Sequence, residues 1–111
     1  MAPRICHIVL MQINDTVAQS VVDDLMKNLE ELCTKGLING LLSFTGGKYS
    51  SPEGFNKGLT HGFTMVFESS ESRDAYLPHP EHERVRDMLL PLIENGNVLA
   101  FDYELPSEPG M

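Results

Sequence analysis

An α+β fold follows from three features of this 111-residue chain. Two runs, Ile5–Gln12 (ICHIVLMQ) and His61–Glu68 (HGFTMVFE), are apolar at nearly every position, as strands covered on both faces are. Two other segments repeat their apolar residues at helical spacing, one between those runs and one after the second. A shorter apolar segment precedes His61 and another closes the chain. The order is therefore strand, helix, strand, strand, helix, strand. That is the split βαβ pattern of a ferredoxin-like βαββαβ sandwich, a four-stranded antiparallel sheet with helices on one face.

The first strand, Ile5 to Gln12, places Ile5, His7, Val9 and Met11 on one face and Cys6, Ile8 and Leu10 on the other. Thr16 followed by Gln19 has the form of a capping box, and Val22, Leu25, Met26, Leu29, Leu32 and Cys33 recur at helical intervals. The spacing predicts a helix from about Val17 to Lys35, stopped by Gly36. GLLSFT, Gly40 to Thr45, reads as a short strand. GGKYSSPEGFNKG after it holds four glycines and a proline, so a loop is expected over a pocket mouth. Its GGK is no phosphate-binding loop, because Tyr49 stands where a Ser or Thr is required and the first glycine of the pattern is missing.

The long strand from His61 puts His61, Phe63, Met65 and Phe67 on one face and Gly62, Thr64 and Val66 on the other. Ser69 or Ser70 caps a short helix reaching Leu77, and Pro78 stops it. Pro80 suits the first turn of the next helix, whose Val85, Met88, Leu89, Leu92 and Ile93 form an apolar stripe that Asn95-Gly96 ends. A last strand runs from Asn97 to Glu104. Residues 1–104 form one domain, and a loosely ordered tail, 105–111, is expected beyond it.

A chain of this length supports a single core, burying about two-thirds of the unfolded surface. Sixteen acidic against eight basic residues give a formal charge of −8, which repels phosphate backbones and anionic lipid. Nucleic acid is thereby excluded as a partner. No apolar run approaches the ~20 residues that span a bilayer, and the first residues lack a secretory cleavage region, so a soluble, cytoplasmic protein is expected. Cys6 and Cys33, without a CxxC, read as free thiols. No cofactor motif is present, and His79, His82 and Glu83 lack the spacing of a metal site, so neither cofactor nor metal is expected. Helices on one side cover one sheet face only. Strands apolar on both faces call for a second cover, and the economical one is the same face of another copy: a homodimer.

The segments CHIVL, NKGLTHGFTMVFES, AYLPHPEHERV and FDYE resemble the stress-responsive dimeric α/β-barrel family over about residues 4 to 104. That family includes boiling-stable stress proteins of plants and a small polyketide cyclase, olivetolic acid cyclase. The resemblance implies a dimeric α/β barrel. Carried over by position from the cyclase's YxxHPxH segment, its catalytic tyrosine and histidine fall on Tyr76 and His82. Two pocket histidines fall on His7 and His61, while Met26 and Leu29 stand where the cyclase has a phenylalanine and a tyrosine. Together with strand parity, the resemblance implies that Met26, Leu29, Phe63 and Tyr76 line one cavity within each chain.

The residue types suit that chemistry independently. Closing a poly-β-keto chain by an intramolecular aldol step needs a base for the proton between two carbonyls and a donor for the developing enolate oxygen. An imidazole with a reference pKa of about 6.5 is a competent base, and a tyrosine hydroxyl at about 10 donates. Plainer roles stand beside these: His7 and His61 as hydrogen-bonded core residues, Tyr76 as a packing residue, His79 as a helix cap. Two functions therefore compete. One is a cyclase-like enzyme taking a small, mostly apolar, carbonyl-bearing ligand; the other is a non-catalytic stress-responsive dimer that protects or sequesters.

Overall fold

The computed structural model describes residues 2–106. β1 (Ile5–Ile13), α1 (Gln19–Thr34), β2 (Leu41–Lys48), β3 (His61–Phe67), α2 (Ser70–Tyr76), α3 (Pro80–Leu89) and β4 (Ile93–Glu104) follow one another, with a 3-10 turn at Leu90–Leu92. All strand pairs are antiparallel, in the order β2-β3-β1-β4. The ferredoxin-like order read from the sequence is the one observed.

Helix α1 buries Val22, Leu25, Leu29 and Leu32, the stripe that its periodicity predicts. Its start differs from expectation. Ala18 is the N-cap, without a side-chain bond, because Thr16 is spent elsewhere: the Asn14 side-chain oxygen accepts both the Thr16 N–H (2.9 Å) and the Thr16 hydroxyl (2.6 Å). Ser69 caps α2 by accepting the Ser72 N–H at 3.2 Å. His79 caps α3: its Nδ1 accepts the Glu81 N–H at 3.0 Å, while Pro80 occupies the first turn.

Two boundaries are corrected. β2 runs through Gly46, Gly47 and Lys48, which pair with Phe63, Gly62 and His61, so these three belong to the sheet and not to the loop. Gly46 leaves room there for the Met26 side chain, whose Cε lies 2.6 Å from where a Cβ would stand. At the other end, the last helix stops at Leu89 rather than reaching Ile93, because Pro91 denies the next turn its donor. β4 therefore begins at Ile93 instead of Asn97. Asn95 (φ 51°) and Gly96 (φ 65°) are no helix end but an irregularity inside that strand, between the pairs Ile13–Ile93 and Met11–Val98.

Side chains from one sheet face and the helices form the core, in which Met11, Leu25, Leu32, Met65 and Phe67 are completely buried. On the other face Leu10, Leu99, Phe101 and Tyr103 stand exposed. Cys6 and Cys33 are free thiols. Of the expected tail, Leu105 is tied back by its N–H to the Arg4 carbonyl (2.8 Å), and 107–111 lie outside the described residues.

Gly40 and Gly36 both have positive φ (84° and 62°), but only Gly40 is crowded: a Cβ would meet the Ser72 Oγ at 2.3 Å, whereas nothing lies within 4 Å of the Gly36 position. Gly36→Ala is expected to cost about 1 kcal/mol of left-handed strain, and Gly40→Ala about 2–3 kcal/mol because α2 must also shift. Urea unfolding of both variants checks the order. Equal losses would contradict the close approach.

Candidate functional site

A cavity of about 150 Å³ lies between the covered face of the sheet and helices α1 and α3. Its walls are mostly aliphatic and aromatic, among them Val9, Leu29, Phe63, Val85 and Leu89; its polar lining comes from His7, His82 and Arg86. Apolar walls with a few convergent polar groups are the usual make-up of a small-molecule site.

His82 sits in the first turn of α3, and the Pro78 break turns that helix back toward the end of α2. The ring's Nδ1 lies 2.7 Å from the Leu77 carbonyl oxygen. A carbonyl can only accept, so Nδ1 carries the proton and Nε2 is left as an acceptor with an open lone pair. Tyr76 packs on the same imidazole, ring centroids 4.3 Å apart. It is 2% exposed, and this burial pushes the hydroxyl's pKa well above its ordinary value, so the group stays protonated and can donate.

His7, 6% exposed, is held the same way by a different acceptor. Its Nδ1 donates to Asp102 Oδ1 at 2.6 Å, and Asp102 Oδ2 receives the Arg73 guanidinium at 2.7 Å. The two strand residues face each other in the β1–β4 register, while Arg73 comes from α2. Bonds from Asp102 and then Asp74 raise the Arg73 pKa further. His7 lies 6.2 Å from the Tyr76 ring, centroid to centroid. His7, Tyr76 and His82 thus form one cluster, with both imidazoles lining the cavity.

The other expected site residues separate. Leu29 and Phe63 line the cavity, but Met26 faces a different hollow beside Phe44 and Gly46, and Tyr76 stands behind the histidine rings rather than in the wall. The single cavity expected of Met26, Leu29, Phe63 and Tyr76 is therefore divided, because Phe44 and Gly46 of β2 draw Met26 aside. His61, at the far end of β3, bonds Thr60 Oγ1 through Nδ1 (2.8 Å) and lines a third hollow. Burial, and then the charge of Lys48, lower its pKa. Asp102 and Arg73 escaped the sequence reading. The alternation of β4 carried a signal: with Leu99, Phe101 and Tyr103 facing out, Asp102 had to face in. Among the described residues no group of three or more His, Cys, Asp or Glu is placed to hold a metal ion.

The sequence profile of the family described as "Stress responsive A/B Barrel Domain" matches residues 5–105. The chain is 32% identical over 98 residues to the stress-response A/B barrel domain-containing protein HS1 of Arabidopsis thaliana, spanning 88% of this chain and 86% of that protein. Among solved structures, a dimeric ferredoxin-like protein of unknown function from Jannaschia sp. CCS1 is similar with a TM-score of 0.74 and 27% identity, over 92% of this chain and 99% of that one. The hydroxynitrile lyase from Passiflora edulis is similar in fold, with a TM-score of 0.84 at 16% identity over 97% and 98% of the two chains.

Burial of Tyr76 has a consequence for stability. A hydroxyl whose pKa is raised by folding contributes stability that is fully present below the unfolded value, about 10, and is lost as pH rises above it. The parent's melting temperature is therefore expected to fall more steeply between about pH 9 and 11 than that of Tyr76→Phe. Tyr103, whose pKa is raised by its bond to Cys6, is common to both proteins and cancels in the comparison. Parallel slopes would mean that the Tyr76 hydroxyl reaches water freely.

Proposed function

The chain belongs to the stress responsive A/B barrel domain family, and we propose that it is a cyclase-like or lyase enzyme that moves a proton on a small, mostly apolar carbonyl compound. One observation carries this reading. Two imidazoles line the same cavity, each with its Nδ1–H committed to a fixed acceptor, so that both Nε2 atoms are available for proton transfer.

In the reaction proposed, His82 Nε2 takes the proton from the carbon beside a carbonyl, and the Leu77 carbonyl steadies the Nδ1–H of the imidazolium that results. The negative charge moves to the enolate oxygen, which the Arg86 guanidinium in the cavity wall stabilises, while the Tyr76 ring holds the His82 imidazole from behind. In an aldol closure the enolate carbon then bonds to a second carbonyl carbon of the same molecule, and the new alkoxide takes back a proton from His82. His7, its Nδ1–H held by Asp102, which Arg73 anchors in turn, presents Nε2 to the cavity as a second acceptor. The fold is one that carries a lyase in the Passiflora protein. A hollow near this size accepts a molecule about as large as benzene. A triketide therefore suits the site better than a longer chain.

The competing reading, a non-catalytic protective dimer, draws on the same cluster, since Arg73, Asp102 and His7 also tie α2, β4 and β1 together. The homodimer is part of both readings. Leu10 (38% exposed), Leu99 (53%), Phe101 (67%) and Tyr103 (46%) form an apolar row on the sheet face that no helix covers. The Jannaschia relative is described as dimeric.

His82→Gln is expected to lower turnover of a tri- or tetraketide substrate about 10²- to 10⁴-fold with little change in melting temperature, whereas Tyr76→Phe, which keeps the ring against His82, is expected to change the rate far less. A His82 variant with full activity on a compound that the parent converts would remove the mechanism. Loss of thermal stability in both variants, with no conversion by any of the proteins, would favour the protective role.

Assembly is tested separately. Placing a charge on the uncovered face by Phe101→Glu is expected to give a monomer at concentrations where the parent sediments as a dimer. A parent that sediments as a monomer at micromolar concentration would contradict the dimer.

A further inference from the structure

His82 and Arg86 stand one turn apart on α3, so they share a helix face, and both line the cavity on the covered side of the sheet. Arg86 is the one lysine or arginine in that wall, and among the described residues no aspartate or glutamate lines the cavity. Its ion-pair partner, Asp87, is the next residue along the helix. The two groups stand 3.7 Å apart, too far for a hydrogen bond, and the Asp87 side chain is 73% exposed, so the pair holds the guanidinium weakly. Asp102, behind His7, is already bound by Arg73, and Glu81 by Arg84. The half-exposed Arg86 and Leu90 mark the mouth of the cavity, whereas the buried Leu29, Phe63 and Val85 close its inner end.

A cation at the mouth of an otherwise apolar cavity selects an anion, in a chain whose formal charge of −8 otherwise repels anions. The planar guanidinium carries five N–H donors in a fork that receives two oxygens at once. In a β-keto acid the ketone oxygen and the carboxylate stand on carbons separated by one methylene. Both therefore reach one fork while the alkyl part lies against Leu29 and Phe63. The charges balance as well. His82 Nε2 takes the proton from the carbon on the far side of the ketone, the electrons of that C–H bond form a C=C bond, and the carbonyl pair moves to the ketone oxygen. Enolate and carboxylate then face guanidinium and imidazolium, so the cavity gains no net charge.

We propose that Arg86 is the specificity-determining residue of this site and that its substrates are free β-keto acids, taken as carboxylates in preference to their neutral esters or thioesters. The proposal rests on the reading of this cavity as the site of proton transfer. It adds an anionic group that the reaction itself does not require.

Acetoacetate, near benzene in size, and its methyl ester test the proposal on the full chain. Calorimetry and backbone amide shifts are expected to show acetoacetate bound once per chain, with shifts at His7, His82, Arg86 and Leu90, and the ester bound about 10-fold more weakly or less. Arg86→Gln should weaken acetoacetate about 10- to 100-fold at an unaltered melting temperature, the loss of charge-assisted bonds, and leave the ester's affinity unchanged. Arg86→Lys, which keeps the charge without the fork, should recover part of that loss. Deuterium uptake at the acetoacetate methyl group separates this proposal from the reaction it rests on. His82→Gln should keep the binding and lose the uptake; Arg86-dependent binding with no uptake beyond that in buffer would support the selection and remove the proton transfer. Equal affinities for acetoacetate and its ester would overturn the proposal. So would an Arg86→Gln variant of parental affinity for acetoacetate, shifts centred away from the cavity, or no acetoacetate binding at millimolar concentration.

Discussion

A carboxylate on the covered face of a sheet cannot stand alone, and the fold around Asp102 answers that constraint. One oxygen accepts the His7 Nδ1–H and the other an N–H of the Arg73 guanidinium, so a residue of β1, one of β4 and one of α2 meet at a single group. Leaving such a charge buried without partners costs several kcal/mol, which makes the three-way contact a condition for placing Asp102 inside at all. The same contact orients His7. Because an ionised carboxylate only accepts, the imidazole must present Nδ1–H to Asp102 and keep Nε2 for the cavity.

The second fixed imidazole arises from a chain break rather than from a charge. Pro78 prevents α2 from continuing, and the turn that follows brings His82 over the last residues of α2, where the Leu77 carbonyl has no helical donor left to receive. An orphan carbonyl at a helix end thus becomes the orienting group of a candidate base. His79, three residues before His82, is spent on capping α3 and takes no part in the cavity.

The two sides of the sheet serve different ends. Core and proton-transfer cavity share the helix-covered side, whose alternation along β1 and β3 is regular; on the other side Phe101 and Tyr103 of β4 stand exposed. A sheet covered by one helical layer keeps such a surface whatever its sequence, and this chain fills it with apolar side chains.

The strand and helix periods of two and 3.6 residues are local properties, so the faces of β1 and β3, the buried stripe of α1 and the breaks at Pro78 and Gly36 were legible in the sequence. So was the cap at His79. Pairing partners are not local. Nothing in GGK says that these residues continue β2 rather than enter a loop; their backbone groups found the edge of β3, and the clearance that Gly46 gives to Met26 appears only when the helix is laid down. Asn95-Gly96 has the form of a helix stop, yet Pro91 had already ended the helix, and the pair became an irregularity of β4. Residue by residue, the sequence determined the ferredoxin-like order and the candidates His7, Tyr76 and His82. Only the tertiary structure decided that these three meet while His61 and Met26 do not, and that Asp102 and Arg73 support them, because register and helix docking bring together residues up to 95 positions apart that no short-range pattern relates.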